Sequence, residues 1–255
     1  RSRHVARIHG HGVSEDNAYL VMEFFDGGDL NKRLAGKALP AEEALRIFRE
    51  LMFALGDIHE QGILHRDLKP QNLMFRADGS LAIVDFGIAK HIDSIDNTGK
   101  GGILGTPRYM SPEQVQGRAL DLRTDIYSAG VLLYQMILGE HLFSGETAVE
   151  VALHHLNTPP PALPERLERF QRLFDKVLEK DRDPRFRHPH EVIGYLSGRF
   201  YQGNKGSRRD SLPTPGCARS RATARAGRAA RTAWRWCRRR PGRAARRVPS
   251  AMPWR

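Results

Sequence analysis

Residues 65–72 read His-Arg-Asp-Leu-Lys-Pro-Gln-Asn. They bring an acid (Asp67), an amine (Lys69) and an amide (Asn72) within six positions, beside an imidazole and a guanidinium. The apolar pair Ile63-Leu64 precedes this stretch and Leu73-Met74-Phe75 follows it. Reactive groups on a connector held between buried segments make the usual construction of a catalytic loop. A solvated charged loop is the alternative at this point. Asp85 adds a second carboxylate, and Asp and Asn oxygens together suit a hard cation such as Mg²⁺, which takes few protein ligands and fills its shell with water and phosphate.

Those groups need elements to hold them. Pro40 to Gly62 is predicted to be a helix: Pro40 suits its first turn, Glu42 and Glu43 match the N-terminal dipole, and Gly62 suits the cap. Phe48, Leu51, Met52, Leu55, Ile58 and His59 fall on one face at spacings of three and four. This helix delivers the chain to His65. Leu73 to Phe75 and Leu81 to Val84 flank an Asp78-Gly79 turn signal and predict a β-hairpin. Antiparallel pairing would bring its entry at Asn72 to its exit at Asp85, beside Asp67.

Upstream, His4 to Ile8 and Ala18 to Phe24 read as two strands, and Leu30 to Leu34 as a short helix after the Asp26-Gly27-Gly28-Asp29 break. Ala89 to Gly105 is a long polar, Gly-rich loop. Asp125 to Leu138 predicts a helix apolar nearly all round, hence buried, capped by Gly139. A Pro-rich break from Thr158 to Pro164 precedes an amphipathic helix over Glu165 to Glu179 and a last helix around His190 to Leu196. There is no internal repeat.

The composition bounds the partners. The net charge of +12 suggests nucleic acid, but the average misleads. Residues 205–255 hold 16 of the 41 basic residues and one of the 29 acidic ones, which leaves 25 basic against 28 acidic and a net charge of −3 in the first 204. Both cysteines, Cys217 and Cys237, lie in that tail, so the body has neither disulfides nor thiolate metal sites, as a reducing cytoplasm allows. The longest apolar run, Ala129 to Leu138, is about half of the roughly 20 residues a membrane span needs. The chain opens in mid-element with no initiator methionine and no leader, and is expected to be a piece of a longer one.

The body resembles the Hanks-type (eukaryotic-like) serine/threonine protein kinases, of the bacterial kind. Residues 65–72 look like the catalytic loop and Asp85-Phe86-Gly87 like the metal-binding triplet. Gly105 to Glu113 looks like the end of the activation segment, with Ser111 where the family often has Ala. Asp125 to Gly130 resembles the start of the central buried helix, and Asp183-Pro184 through Arg187 the late arginine motif. These motifs occur in order at family spacing.

The resemblance implies roles by position. Asp67 would orient the substrate hydroxyl and accept its proton, and Lys69 would neutralise the transferring phosphoryl group. A lysine there points to Ser/Thr substrates. Asn72 and Asp85 would hold Mg²⁺ on ATP. Glu23 and Phe25 would read adenine through their backbone, with Asp29 near the ribose and Met74 beneath the base, although Met22, Phe24 and Met74 would be apolar in any core. Ser94 and Thr98 are candidate phosphosites answering Arg66, and Thr106 would contact Asp67 and Lys69 or be a plain turn residue. Asp125 would bond catalytic-loop amides, Glu113 would pair with Arg187, and His65 and Phe86 would pack as structural support.

The implied fold class is α+β: mainly the α-helical C-terminal lobe (26–200) with a remnant of the N-terminal lobe and hinge (1–25). Residues 201–255 form an Arg-rich low-complexity tail, expected to be disordered or a frame artefact of a GC-rich gene. Trp234 and Trp236 among its arginines leave nucleic-acid binding as an alternative, set behind the other two readings. No lysine and no G-x-G-x-x-G precede the hinge, so the glycine-rich loop and ATP-binding lysine are absent and these 255 residues are expected to transfer phosphate inefficiently. A pseudokinase-like docking module is the non-enzymatic alternative.

Overall fold

In the computed structural model the described residues are 2–14, 17–85 and 107–200. All belong to the first of two units, residues 1–208. The fold of the described residues is α+β, with several helices and two small two-stranded sheets.

Two helices form the centre. Helix α2 (Ala41–His59) carries Glu42 and Glu43 in its first turn, where the dipole favours carboxylates. Ala44, Ile47, Phe48, Leu51, Met52 and Leu55 recur at helical spacing and are fully buried. Each large side chain so buried contributes roughly 1.5–3 kcal/mol relative to exposure. The helix begins after Pro40, which is its N-cap, and ends at Glu60 rather than at Gly62. Gly62 (φ 73°) instead turns the chain out, with the Ile63 amide donating to the Ile58 carbonyl at 3.0 Å. For this left-handed turn glycine is the natural residue.

Helix α4 (Leu122–Leu138) is buried on nearly every side. Asp121 caps it, accepting from the Arg123 amide at 2.9 Å, so the helix starts three residues before the expected Asp125. Gly139 ends it at φ 78°, and a Cβ there would lie 2.6 Å from the Ala38 amide nitrogen. Gly130, mid-helix, lets Val177 approach to where a Cβ would sit 2.7 Å away. Helix α2 packs against α4 and against α7 (Pro189–Phe200).

Strands β1 (Ile8–Ser14) and β2 (Asn17–Met22) pair antiparallel. The first strand therefore lies later than the expected His4 to Ile8, for two reasons. Residues His4 to Ala6 are engaged elsewhere: Ile83 donates to the His4 carbonyl at 2.8 Å and the Ala6 amide donates to Ile83 at 3.1 Å. Gly12, of a residue type that ordinarily weakens strands, is a strand position where a Cβ would come 2.5 Å from the Tyr19 hydroxyl.

The second hairpin joins β3 (Leu73–Phe75) to β4 (Leu81–Ile83), with Leu73 opposite Ile83. Each of its edges meets a further segment, through the Val5–Ile83 bridge on one side and the Asp29–Met74 bridge on the other, which limits stray pairing. Helix α1 (Leu30–Leu34) starts from Asp29, whose carboxylate accepts from the Lys32 amide at 2.7 Å.

Two further helices are α3 (Pro112–Val115), capped by Ser111, and α5 (Ala148–Asn157), capped by Thr147. The segment expected as one helix over Glu165 to Glu179 splits into a 3₁₀ stretch, Glu165–Phe170, and α6 (Gln171–Val177). No helix among the described residues is long and apolar enough to cross a membrane.

Candidate active site

The 63–72 loop leaves α2 and enters the β3–β4 hairpin, and its shape is set from below. Asp125, on the first turn of α4, is fully buried. Its carboxylate accepts from the His65 amide (2.8 Å), the Arg66 amide (2.9 Å) and His59 Nε2 (2.8 Å). Burial pushes this carboxyl up, but the His59 hydrogen bond, the neighbouring His59 and His65 rings and the Arg66 amide outweigh it and hold the group below the usual carboxylate range. A buried anion with three donors is a compensated charge. Arg66 is held at φ 64°, a left-handed conformation unusual for a side chain of its size.

His65 ties the loop to the hairpin exit. Its Nδ1 accepts from the Asp67 amide (3.3 Å), so Nε2 carries the proton and donates to the Val84 carbonyl (3.1 Å). Burial lowers the pKa of His65, consistent with that neutral tautomer. The Val84 amide in turn donates to the Asn72 carbonyl at 3.0 Å. The hairpin thus brings its entry at Asn72 against its exit, one residue before Asp85.

The reactive groups then converge. Lys69 Nζ sits 2.9 Å from Asp67 Oδ2, with both side chains partly accessible. Asn72 is buried and its Nδ2 donates to the Asp67 carbonyl at 2.9 Å, which leaves its amide oxygen as the remaining hard donor. Asp85 is exposed at φ 59°. Among the described residues no group of three His, Cys, Asp or Glu side chains is placed to hold a metal ion. A cation here would rest on one carboxylate and one amide oxygen and complete its shell from a ligand and water, the arrangement Mg²⁺ favours.

The supposed hinge has a different balance. Phe25 is buried, but Phe24 is 82% exposed and Met22 41%, so neither is a core residue. The Glu23 carboxylate is gripped by Arg76 (NH2 to Oε2, 3.1 Å) and by the Arg7 amide (3.2 Å), and the Arg76 bond holds its pKa low. Asp29 and Met74 face each other across an antiparallel bridge, and the Asp29 carboxylate caps α1. Phe86, Ser94, Thr98 and Thr106 lie outside the described residues.

One expected pairing is corrected. Glu113 pairs with Arg185, not Arg187. The guanidinium of Arg185 is fully buried and forks onto Glu113 at 2.8 and 3.0 Å. Its other donors reach the carbonyls of Glu179 (2.7 Å), Arg123 (3.2 Å) and Lys180 (3.0 Å), so all five N–H groups are satisfied. Burial raises Glu113, yet the hydrogen bond and charge of Arg185 bring it below its ordinary value. Arg187 is exposed. Both arginines flank Phe186, the buried apolar residue of this turn, and spacing alone does not choose between them.

Three supports escaped the sequence reading. Gln114, in a capping box with Ser111, donates to the Arg66 carbonyl at 2.7 Å. The Ser-Pro-Glu-Gln order is its signal. His59 reads as one more residue of an apolar face, but it serves Asp125. His155 on α5 is buried between the Tyr127 hydroxyl (3.0 Å) and the Arg108 carbonyl (3.1 Å). Its Nε2 donates to Arg108 and its Nδ1 accepts from Tyr127, and burial followed by the Lys180 charge pushes its pKa down to about 4.

Residues 1–193 match the family model described as protein kinase domain. Among curated proteins, the chain is 38% identical over 190 residues to a probable serine/threonine-protein kinase of Clostridium perfringens, covering 72% of this chain and 28% of that one. It is 37% identical to the serine/threonine-protein kinase drp72 of Corynebacterium efficiens, covering 77% and 39%. It is 35% identical to the serine/threonine-protein kinase PknA of Mycobacterium tuberculosis, covering 84% and 51%. The chain therefore spans between about a quarter and a half of the length of these relatives.

Proposed function

The chain belongs to the protein kinase family, and from that premise we propose that it is the catalytic-loop portion of a bacterial serine/threonine kinase, transferring the ATP γ-phosphate to protein hydroxyls. The observation that carries the reading is the Asp67–Lys69 contact of 2.9 Å on a loop whose backbone is fixed by Asp125. Asp67 orients the Ser or Thr hydroxyl and takes its proton, and Lys69 balances charge on the transferring group while holding the Asp67 carboxylate in place. Asn72 and Asp85 would hold Mg²⁺, which when bound neutralises the phosphate oxygens. Glu23 and Phe25, through their backbone, with Asp29 and Met74, would line the nucleotide. Arg66 would answer a phosphate on Ser94 or Thr98, with Thr106 closing on Asp67.

In this reading residues 1–25 are hinge and N-lobe strands, 26–200 the C-lobe and 201–255 a separate basic tail, in a cytoplasmic protein. The glycine-rich loop and strand lysine of the family are not among the 255 residues, so this polypeptide by itself turns over ATP slowly. That same observation favours the second reading, a docking module that keeps the catalytic loop without using it. Phosphate incorporation from labelled ATP into a serine- and threonine-containing protein, by the chain as its gene encodes it, tests the first. Activity abolished by Asp67→Asn and labelled phosphoserine or phosphothreonine are expected. Incorporation unaffected by Asp67→Asn, or none under any condition, would leave the docking reading.

A further inference from the structure

An open cleft of about 1110 Å³ lies between residues 2–9, helix α2 and the β3–β4 turn, and no residue of the 65–72 loop lines it. Its walls are fixed. His4 and Ala6 are bonded to Ile83, the Glu23 amide donates to the Arg7 carbonyl at 2.8 Å, and His4 Nδ1 lies 3.0 Å from Asp57 on α2.

Five arginines line it: Arg3, Arg7, Arg46, Arg49 and Arg76. Against them stand Glu23, Glu50 and Asp78. Two of these carboxylates are bound into the wall. Glu23 is held by Arg76 and the Arg7 amide, and Glu50 accepts from Arg46 and from the Leu81 amide, each at 2.8 Å. These contacts engage Arg76 and Arg46 in turn, so the lining carries a formal surplus of two guanidinium groups, five against three carboxylates, and it also includes the accessible apolar residues Phe53 (37% exposed) and Ile8 (58%).

We propose that this cleft is a docking site for an acidic linear protein segment whose carboxylates alternate with apolar side chains. Carboxylates match the fork of arginine, and apolar residues between them match Phe53 and Ile8. The cleft exceeds the roughly 300–1,000 Å³ usual for small-molecule sites, which suits an extended chain. Single-stranded nucleic acid fits less well, because it needs free aromatic faces and His4 already stacks on Phe53 at 6.0 Å and 13°. Of the residues assigned above to nucleotide binding or phosphoryl transfer, only Glu23 lines this cleft, and its carboxylate is bound to Arg76.

The test uses the full chain and a short fluorescent peptide alternating glutamate with leucine and carrying one photo-crosslinking residue. Mapped crosslinks are expected in segments 2–9, 46–53 and 76–81. The double variant Arg3→Glu/Arg7→Glu should weaken binding by about ten-fold or more, the scale of two lost charge-assisted contacts. Arg166→Glu/Arg172→Glu, on exposed residues outside the lining, makes the same charge change and should leave the affinity as it was. The crosslink map needs no variant to fold. Crosslinks confined to 201–255, equal weakening in both double variants, or equal occupation of the cleft by an oligothymidine would each overturn the proposal.

Discussion

Removing the Asp125 carboxylate is the sharpest perturbation this fold allows, because three donors converge on one buried side chain. In Asp125→Ala the His65 and Arg66 amides and His59 Nε2, bonded at 2.8, 2.9 and 2.8 Å, all lose their acceptor inside the protein. Each buried donor left without a partner costs about 1–3 kcal/mol, and since neighbouring losses do not add fully, the sum is about 4–6 kcal/mol. That is a large part of the roughly 5–15 kcal/mol that holds a domain together. Asp125→Asn separates the contributions. Its amide oxygen can keep Arg66, the contact now made by Oδ1, while its NH₂ replaces the Oδ2 that serves His65 and His59. His59 can change tautomer and accept from that NH₂, but its proton then moves to Nδ1, which is buried without a partner. The His65 amide cannot. With two donors unsatisfied instead of three, the asparagine variant should lose about 2.5–4 kcal/mol. Urea unfolding of the 255-residue chain measures both values, and hydrogen exchange should show the His65 amide deprotected in both variants and the Arg66 amide only in the alanine one. An alanine variant costing less than about 1 kcal/mol, or an asparagine variant with a protected His65 amide, would refute this account of how the loop is held.

Arg185→Ala breaks a buried ion pair and is expected to destabilise by about 3–5 kcal/mol, whereas Arg187→Ala should stay within about 0.5 kcal/mol in the same urea titration. His155 holds its proton less readily folded (about 4) than at its ordinary 6.5, so the folded chain binds fewer protons between those values. The stability contributed by His155 should be full above 6.5 and fall as pH drops toward 4, by on the order of 3 kcal/mol, and the slope should be shallower by that amount in His155→Gln when melts are compared across pH. In the gene-encoded protein, Asp67→Asn should lower phosphate transfer by about 10²–10⁴-fold with little change in the melting temperature.

Much of the site is legible from the residues because its chemistry is local. Asp67, Lys69 and Asn72 sit within one loop, and the Asp78-Gly79 turn announces the hairpin that brings Asn72 to the strand exit. Period and caps likewise locate α2 and α4 to within a few residues. What resisted reading is long-range and ambiguous in local terms. Arg185 and Arg187 are equivalent by composition, and only the ring of carbonyls around Arg185 distinguishes them. The early strand is displaced because His4 to Ala6 has a partner, Ile83, that no nearby residue reveals. Phe24 looks apolar enough for a core, and exposure to solvent is decided by packing that its own neighbours do not encode.

The contact from Asp125 to the loop also sets an order in time. The His65 amide and its acceptor are 60 positions apart, and Arg185 follows Glu113 by 72. On a ribosome adding about 5–20 residues per second, the loop emerges roughly 3–12 s before the carboxylate that shapes it, and Glu113 waits about as long for its cation. During that interval the loop amides are bonded to water and the nascent chain carries an unpaired acid bound for a buried position. Shaping of the loop is therefore a late event of biosynthesis, and a ribosome stalled between residues 66 and 125 would present an amphipathic α2 with no α4 to cover it, a natural substrate for chaperones.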